Sequence, residues 1–432
     1  MIMRRKAKVT GVLALLIAML LAVPVSMQAL AAAGAENEQT EETEHIEYLG
    51  RSMRIITADG STDCTKTSIR FGYKITLPEG VGIEDCTWGW KFTTDGKSLE
   101  TGAVRKLQGN ATTLNYVKNQ DGTYTTNLVI TNIPSSYYRR NFYAQMFLSY
   151  PTGTDSKTET DIERMLNTKE LAVDIQNQTT QVPGDDTYAK GISDEIATYE
   201  TMIDDKMYKT LAEAVTAASE TETIFLLKDF TVTETIAISQ KNITLTVKDS
   251  SPVTGKRGTE LKDKNVFHVM AGGSLTIDGT SEAKVTVDGC GLVSSTKGMS
   301  MIHVADGGAF ELGVNAVLTN AKTSQQGGAL YVAGSNAKAI LSGDVTGNRG
   351  AYGGAILIND GANVTIKGGT YSDNQANYNE NGQGGVAIIG GNGGTLTVEN
   401  GEFHNNGSKQ NGGVFRCSKG TLSIQNGSFC KN

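Results

Sequence analysis

Hydrophobic and polar residues alternate with a period of two over most of this chain, and the places where that period breaks divide it into elements. Seven short runs, at 52–57, 67–76, 88–93, 113–117, 123–133, 140–150 and 170–175, are separated by Asp-Gly, Pro-Glu-Gly and Pro-Thr-Gly turn signals. Seven such strands within 46–178 predict an immunoglobulin-like β-sandwich. Residues 179–192, rich in Thr, Gly and Asp, read as a linker. The period then changes: Leu211, Ala214, Val215 and Ala218 recur at helical spacing, so a helical cap is expected over 193–222. An amphipathic helix there covers the end of a stack of β-coils, whose backbone and apolar interior otherwise face water.

From 223 onward short strands return, now in repeats. Gly327-Gly328 leads to Ile340-Leu341 and Val345-Thr-Gly-Asn348; Gly353-Gly354 leads to Val364-Thr-Ile366 and Tyr371-Ser-Asp-Asn374. Gly384-Gly385 leads to Leu396-Thr-Val398 and Phe403-His-Asn-Asn406, and Gly412-Gly413 to Leu422-Ser-Ile424 and Phe429-Cys-Lys-Asn432. The Gly-Gly pairs stand 26, 31 and 28 residues apart, which suits one coil of three short strands and three turns. That spacing is too short for a propeller blade of about 40–45 residues. Apolar alternates point into the shaft, glycines take corners with positive φ, and the Asn that ends each block stacks, bonding from coil to coil and adopting the left-handed conformation. The segment from His268 matches the one from His303 at a separation of 35. With the runs at 224–227 and 243–247, this predicts an all-β chain whose residues 223–432 form a right-handed parallel β-helix of about seven coils.

Two resemblances attach to these residues. The stretch from Tyr208 to Ala218, followed by Thr223-Ile-Phe-Leu-Leu-Lys228, looks like the entry to bacterial β-helices of the pectin-lyase-like superfamily. The Gly-Gly-Ala-Leu, Gly-Gly-Ala-Ile and Phe-x-x-Asn motifs resemble the repeats of chlamydial polymorphic outer-membrane proteins, well over 327–432 and loosely over 223–326. The 46–178 region loosely resembles immunoglobulin-like modules of bacterial surface proteins. Together they imply an extracellular or cell-surface bacterial protein. Those outer-membrane proteins end in a translocating β-barrel, and no barrel or Leu-Pro-x-Thr-Gly sorting signal is seen here. The last repeat stops at Asn432 without a cap, so a truncated C-terminus, or an end covered by a partner, is expected.

Residues 1–33 read as a Sec-type signal peptide: Arg4, Arg5, Lys6 and Lys8 precede an apolar stretch over 12–25, and Ala31 to Ala35 offer small-residue cleavage sites. Residues 34–45, with five Glu, form an acidic linker. Cleavage removes four positive charges and no negative ones, moving the formal net charge from −7 to −11. A chain this acidic, without a basic cluster beyond its signal, argues against nucleic acid as partner, and no transmembrane segment is expected in the mature chain. The 50 Gly against six Pro fit tight turns between short strands. Of five cysteines, Cys64 and Cys86 can pair after export, Cys417 and Cys430 share the last repeat, and Cys290 is left over; buried single thiols fit as well.

Candidate chemistry is sparse. Lyases of this fold need calcium-binding carboxylates beside a base, and hydrolases need paired carboxylates. Asp278, Asp288, Asp306, Asp344, Asp360 and Asp373 occur singly, mostly beside Gly, where turns explain them; Asp185-Asp186 falls in the linker. His268 and His303 occupy equivalent repeat positions, two ligands without a third, and His404 is a corner residue. Trp88, Trp90, Tyr137, Tyr138, Phe142 and Tyr143 read as core before they read as a sugar platform. No catalytic, cofactor-binding or metal-ligating residue is assigned. The expectation is a non-catalytic adhesin or display stalk whose partner is a host or neighbouring-cell surface protein or glycan. The alternatives are a polysaccharide lyase or glycoside hydrolase, or a carbohydrate-binding protein without catalysis.

Overall fold

A computed structural model describes residues 45–54, 63–109, 115–177, 186–292 and 299–432. The expected signal peptide, and the acidic linker as far as residue 44, lie outside them. The chain divides into two compact units, one through Thr198 and one from Tyr199.

The first unit carries β1 (Ile46–Arg54), β2 (Lys66–Ile75), β3 (Thr87–Phe92), β4 (Ala103–Gln108), β5 (Tyr116–Lys118), β6 (Tyr124–Pro134), β7 (Phe142–Thr152), β8 (Asp155–Thr160) and β9 (Arg164–Leu166). They form two antiparallel sheets, ordered β1-β2-β6-β5 and β4-β3-β7-β8, with β9 also on β7. Strands β4, β8 and β9 escape the sequence pattern. β4 is exposed on both faces and β8 is polar nearly throughout, so neither shows alternation; both are edge strands, where charge discourages further pairing. Between the sheets lie Trp88, Trp90, Phe71 and Leu128, and Trp88 Nε1 donates to Thr126 Oγ1 at 3.3 Å.

Three expectations fail on helices. The strand expected at 170–175 is a helix, α1 (Thr168–Asn177): Asn167 Oδ1 accepts from Glu170 N at 2.8 Å, and Leu171, Ala172 and Ile175 are buried. The expected linker holds a second helix, α2 (Asp186–Ile196), which buries Tyr188, Ala189, Ile192 and Ile196 at helical spacing and packs on α1. The helix expected over 193–222 ends at Ile196. A hairpin follows, β10 (Thr201–Ile203) and β11 (Lys206–Tyr208), turned at Asp204 with φ of 50°, and only then α3 (Leu211–Ala217). The cysteines form no disulfide: Cys86 Sγ donates to Gly82 O, Cys64 lies against Gly191, and Cys417 and Cys430 stand on different faces.

His45, placed by sequence in the solvated linker, is buried. Glu159 Oε1 accepts from Tyr150 OH at 2.6 Å, from Lys157 Nζ at 2.8 Å and pairs with His45 Nδ1 at 3.1 Å. Burial works against the Glu159 charge, but these bonds outweigh it and hold the carboxyl down at about 2. A carboxyl depressed in the folded state contributes stability above its ordinary value, lost as pH falls from about 4.5 toward 2. We expect this unit to lose on the order of 2 kcal/mol over that window. Fluorescence of Trp88 and Trp90, the only two tryptophans and both in this unit, reports the loss, and Glu159→Gln should flatten the profile there.

The second unit is a parallel β-solenoid of about seven turns. Its first face begins with β11 and β10, then runs from Thr221–Leu226 to Thr421–Ile424; the second face runs from Phe230–Val232 to Ser428–Cys430, and the third from Ile236–Ile238 to Phe415–Cys417. α3 covers the first turn: Leu211, Ala214 and Val215 join the apolar cluster that includes Ile224, Phe230 and Ile243. Thr210 Oγ1 accepts from Glu213 N at 3.1 Å at its start, and Lys241 Nζ donates to Val215 O at 2.9 Å at its end.

Inside the shaft, inward residues stack in register. On the second face Tyr371, Phe403 and Phe429 have ring centroids 5.0 and 4.8 Å apart. Lower on that column Phe230 faces Gly255, where an added Cβ would lie 2.6 Å from the Phe230 ring. The Asn ladder forms as expected. Asn348, Asn374, Asn406 and Asn432 lie on successive turns, and each Oδ1 of the last three accepts the backbone N–H of the asparagine before it at 3.0–3.1 Å. Nδ2 of Asn374 donates to Asn406 Oδ1 at 3.1 Å and to Val345 O at 2.8 Å. The left-handed residue is the one before each ladder Asn: Gly347, Asp373, Asn405 and Lys431 have positive φ, and the asparagines do not.

In the pairs at 353–354 and 384–385 both glycines lie against backbone, and the first also takes a conformation that favours glycine. That first glycine turns the chain, with φ of 78° at Gly353 and 71° at Gly384. The second makes room: a Cβ on Gly354 would lie 1.9 Å from Gly385 O, and one on Gly385 1.9 Å from Gly413 O.

Candidate functional site

Register turns the outward positions of the third face into one column. Ala237, His268, His303, Tyr331, Leu357, Ile388 and Arg416 stand on successive turns. The His268 and His303 rings are 4.7 Å apart and within 6° of parallel, and Tyr331 lies 4.9 Å from His303 at 17°. All three rings are half-buried. Burial lowers the basicity of both imidazoles; for His303, burial and then neighbouring His268 bring it down to about 4. Both rings are therefore neutral at pH 7.

Neutral imidazoles are ready ligands, but this geometry directs their lone pairs side by side. In-plane lone pairs on nearly parallel rings run alongside one another and do not converge on one shared ion. Among the described residues no group of three His, Cys, Asp or Glu is placed to hold a metal ion. Stacking also occupies the ring faces a sugar would need, leaving the edges outward.

The aspartates singled out by sequence are dispersed and engaged. Asp278 Oδ1 accepts from Asn315 N at 2.9 Å, Asp306 Oδ1 from Asn336 N at 2.8 Å, and Asp344 Oδ1 from Thr370 N at 3.0 Å, each reaching the next turn. Asp344 also pairs with Lys284 at 2.9 Å. Asp288 accepts from Cys290 N, Asp360 from Asn392 Nδ2, and Asp373 takes the left-handed corner before Asn374. The expected Asp-Gly turns are present at Asp306-Gly307 and Asp360-Gly361, both glycines with positive φ, and most of these side chains also tie one turn to its neighbour. Asp186 begins α2, and Asp185 lies outside the described residues. His404 ends its strand between Ser372 and Cys430 on the second face. Trp88, Trp90, Tyr138 and Phe142 are buried, with only Tyr137 and Tyr143 half-buried, so the six aromatics do not form a platform.

One residue passed unnoticed in the sequence. Arg257 is 2 % exposed, in register with inward Val232. Its Nε donates to Leu261 O at 2.8 Å and its Nη2 to Lys264 O at 2.6 Å and Met299 O at 3.3 Å. Burial brings the guanidinium down to about 10, with Asp263 opposing the fall. The signal was parity: Val253, Gly255 and Arg257 share one side of their strand.

A polar groove of about 430 Å³ crosses the turns between the first and second faces, lined by Gly369, Thr370, Asn400, Glu402, Asn426 and Ser428. Glu402 is its single carboxylate.

No protein-family model, no curated protein and no solved structure matches this chain. Its fold defines a class all the same: a parallel β-solenoid presenting in-register columns of side chains, with a unit of two antiparallel sheets ahead of it in sequence.

Proposed function

We propose that this is an exported bacterial surface protein whose solenoid is a non-catalytic scaffold for adhesion or display. The observation that carries this reading is the engagement of the solenoid's aspartates in turn-to-turn bonds, which leaves them as joints of the shaft rather than as a convergent acid and base. The Gly-Gly-Ala and Phe-x-x-Asn motifs, with the basic and apolar segment at the N-terminus, support the secreted, right-handed, pectin-lyase-like reading. Strand orders β1-β2-β6-β5 and β4-β3-β7-β8 follow the two-sheet plan of immunoglobulin-like modules, which suits a spacer or second binding unit.

The groove beside Glu402 favours a second reading, a carbohydrate-binding protein: its lining of amides, hydroxyls and one carboxylate suits a polyhydroxylated ligand. Glycoside hydrolysis needs two carboxyl groups flanking the bond, and the groove offers one. Purified chain from Gly34 onward, incubated with uronate polymers and calcium, is expected to give no ultraviolet absorbance from unsaturated product; such absorbance overturns the non-catalytic reading. On a glycan array and on intact cells, binding to cells with a silent array supports protein adhesion. Binding to one glycan class that is lost in Glu402→Ala transfers the function to the groove.

A further inference from the structure

His268 and His303 are in-register partners on adjacent strands, Phe267–Val269 and Ile302–Val304, and their planes are nearly parallel. With Tyr331 they make the only stacked rings on the outward side of the third face among the described residues. The column therefore joins the second, third and fourth turns by ring contact, where the turns above rely on aliphatic Leu357 and Ile388.

We propose that the His268–His303 stack is an acid-sensitive joint in the solenoid, holding the third face closed over its second to fourth turns at neutral pH and releasing it when the rings become charged. Two imidazolium ions a rung apart repel, and the groups around them do not offset that charge. Ala237, on one side of the pair, is neutral; the Tyr331 phenol, on the other, bonds the Asn359 side chain and feels the Asp360 carboxylate, which acts on neither imidazole. In the turns flanking these strands, Asp263 acts on Arg257, Asp306 accepts from Asn336 N, and Lys262 and Lys264 carry positive charge, while Arg416 stands three turns beyond Tyr331. The lowered basicity has two causes, burial and the neighbouring imidazole, and no carboxylate enters.

The sign follows. Each ring binds a proton less readily folded than unfolded, so the joint's contribution is complete above the ordinary histidine value of about 6.5 and is lost as pH falls toward about 4. This does not depend on what the protein binds, and its test reads no ligand.

Hydrogen exchange of the full chain at pH 7.5 and 4.5, corrected for intrinsic rates, should show at least a tenfold loss of protection in 267–269, 302–304 and 330–333 on acidification. Segments 356–359 and 387–389, on the same face without histidine, should hold. The His268→Phe/His303→Phe double variant keeps two stacked rings and should remove the acid step. Uniform loss over the whole face, no loss at all, or an unchanged step in the double variant overturns the proposal. Should the double variant not fold, His303→Tyr, which repeats the ring standing at Tyr331, must shrink the step; an undiminished step is equally fatal.

Discussion

Gly385→Ala is expected to destabilise the solenoid by about 3 kcal/mol or more, among the larger effects of a single methyl group. The added carbon would lie 1.9 Å from the carbonyl oxygen of Gly413 on the next turn, and the obstacle is backbone, so no side chain can rotate aside. The two turns must move apart, at the site where Gly385 N donates to Gly412 O at 2.9 Å. The φ of Gly385 is not in the left-handed range, so the expected loss measures close approach alone. Gly391→Ala is the matched control: nothing lies within 4 Å of its Cβ position, and its effect should stay within about 0.5 kcal/mol. Urea unfolding followed by circular dichroism compares the two, and equal midpoints would sink this account of the glycine ladder.

Asn374→Ala ranks beside it, with an expected loss of about 3–5 kcal/mol. Asn374 is fully buried, and its side chain serves both neighbouring turns. Truncation leaves Asn348 N–H without its acceptor and Val345 O without its donor, each inside the shaft. Asn374→Asp keeps the acceptor but points a carboxylate at Val345 O and Asn406 Oδ1, both now acceptors facing an acceptor, so it should be no milder. The contrast lies one residue away in the next turn. Asn405 has φ of 56° and its neighbour Asn406 carries the ladder, so Asn405→Gly should be close to neutral. If 405 proves the sensitive position and 374 the tolerant one, the corner conformation, not the ladder, holds the turns together.

Much of the solenoid was legible in sequence because its signals are redundant. Three strands, a Gly-Gly pair and an Asn recur together, and a register error would have to break all of them at once. The pairing of His268 with His303 was readable from a repeat offset alone. Less legible was anything resting on a partner distant in sequence. The second glycine at 354 and 385 looks like its twin until the next turn's carbonyl is in place, and the turn at Asp306 does not by itself reveal the bond to Asn336. In the first unit the misreadings had local causes. Glu170 to Ile175 carries four apolar residues in six, too dense and too short a run to separate the two periods, and Asn167, three residues before Glu170, tips it to helix. β4 and β8 bury too little for alternation to appear. For a site, the sequence offered a pair of histidines but not their parallel planes, and those planes decide against a shared metal ion.

Phe230 and Gly255 fill one volume with a large ring on one turn and no side chain on the next. Positions on that column are thus not free to vary one at a time: a larger residue at 255 is admissible only with a smaller one at 230. Among descendants of this sequence, such substitutions should arise as linked changes between residues a full turn apart. A comparison of diverged copies would then find the unit of inheritance in the shaft to be the pair of adjoining turns and not the single repeat.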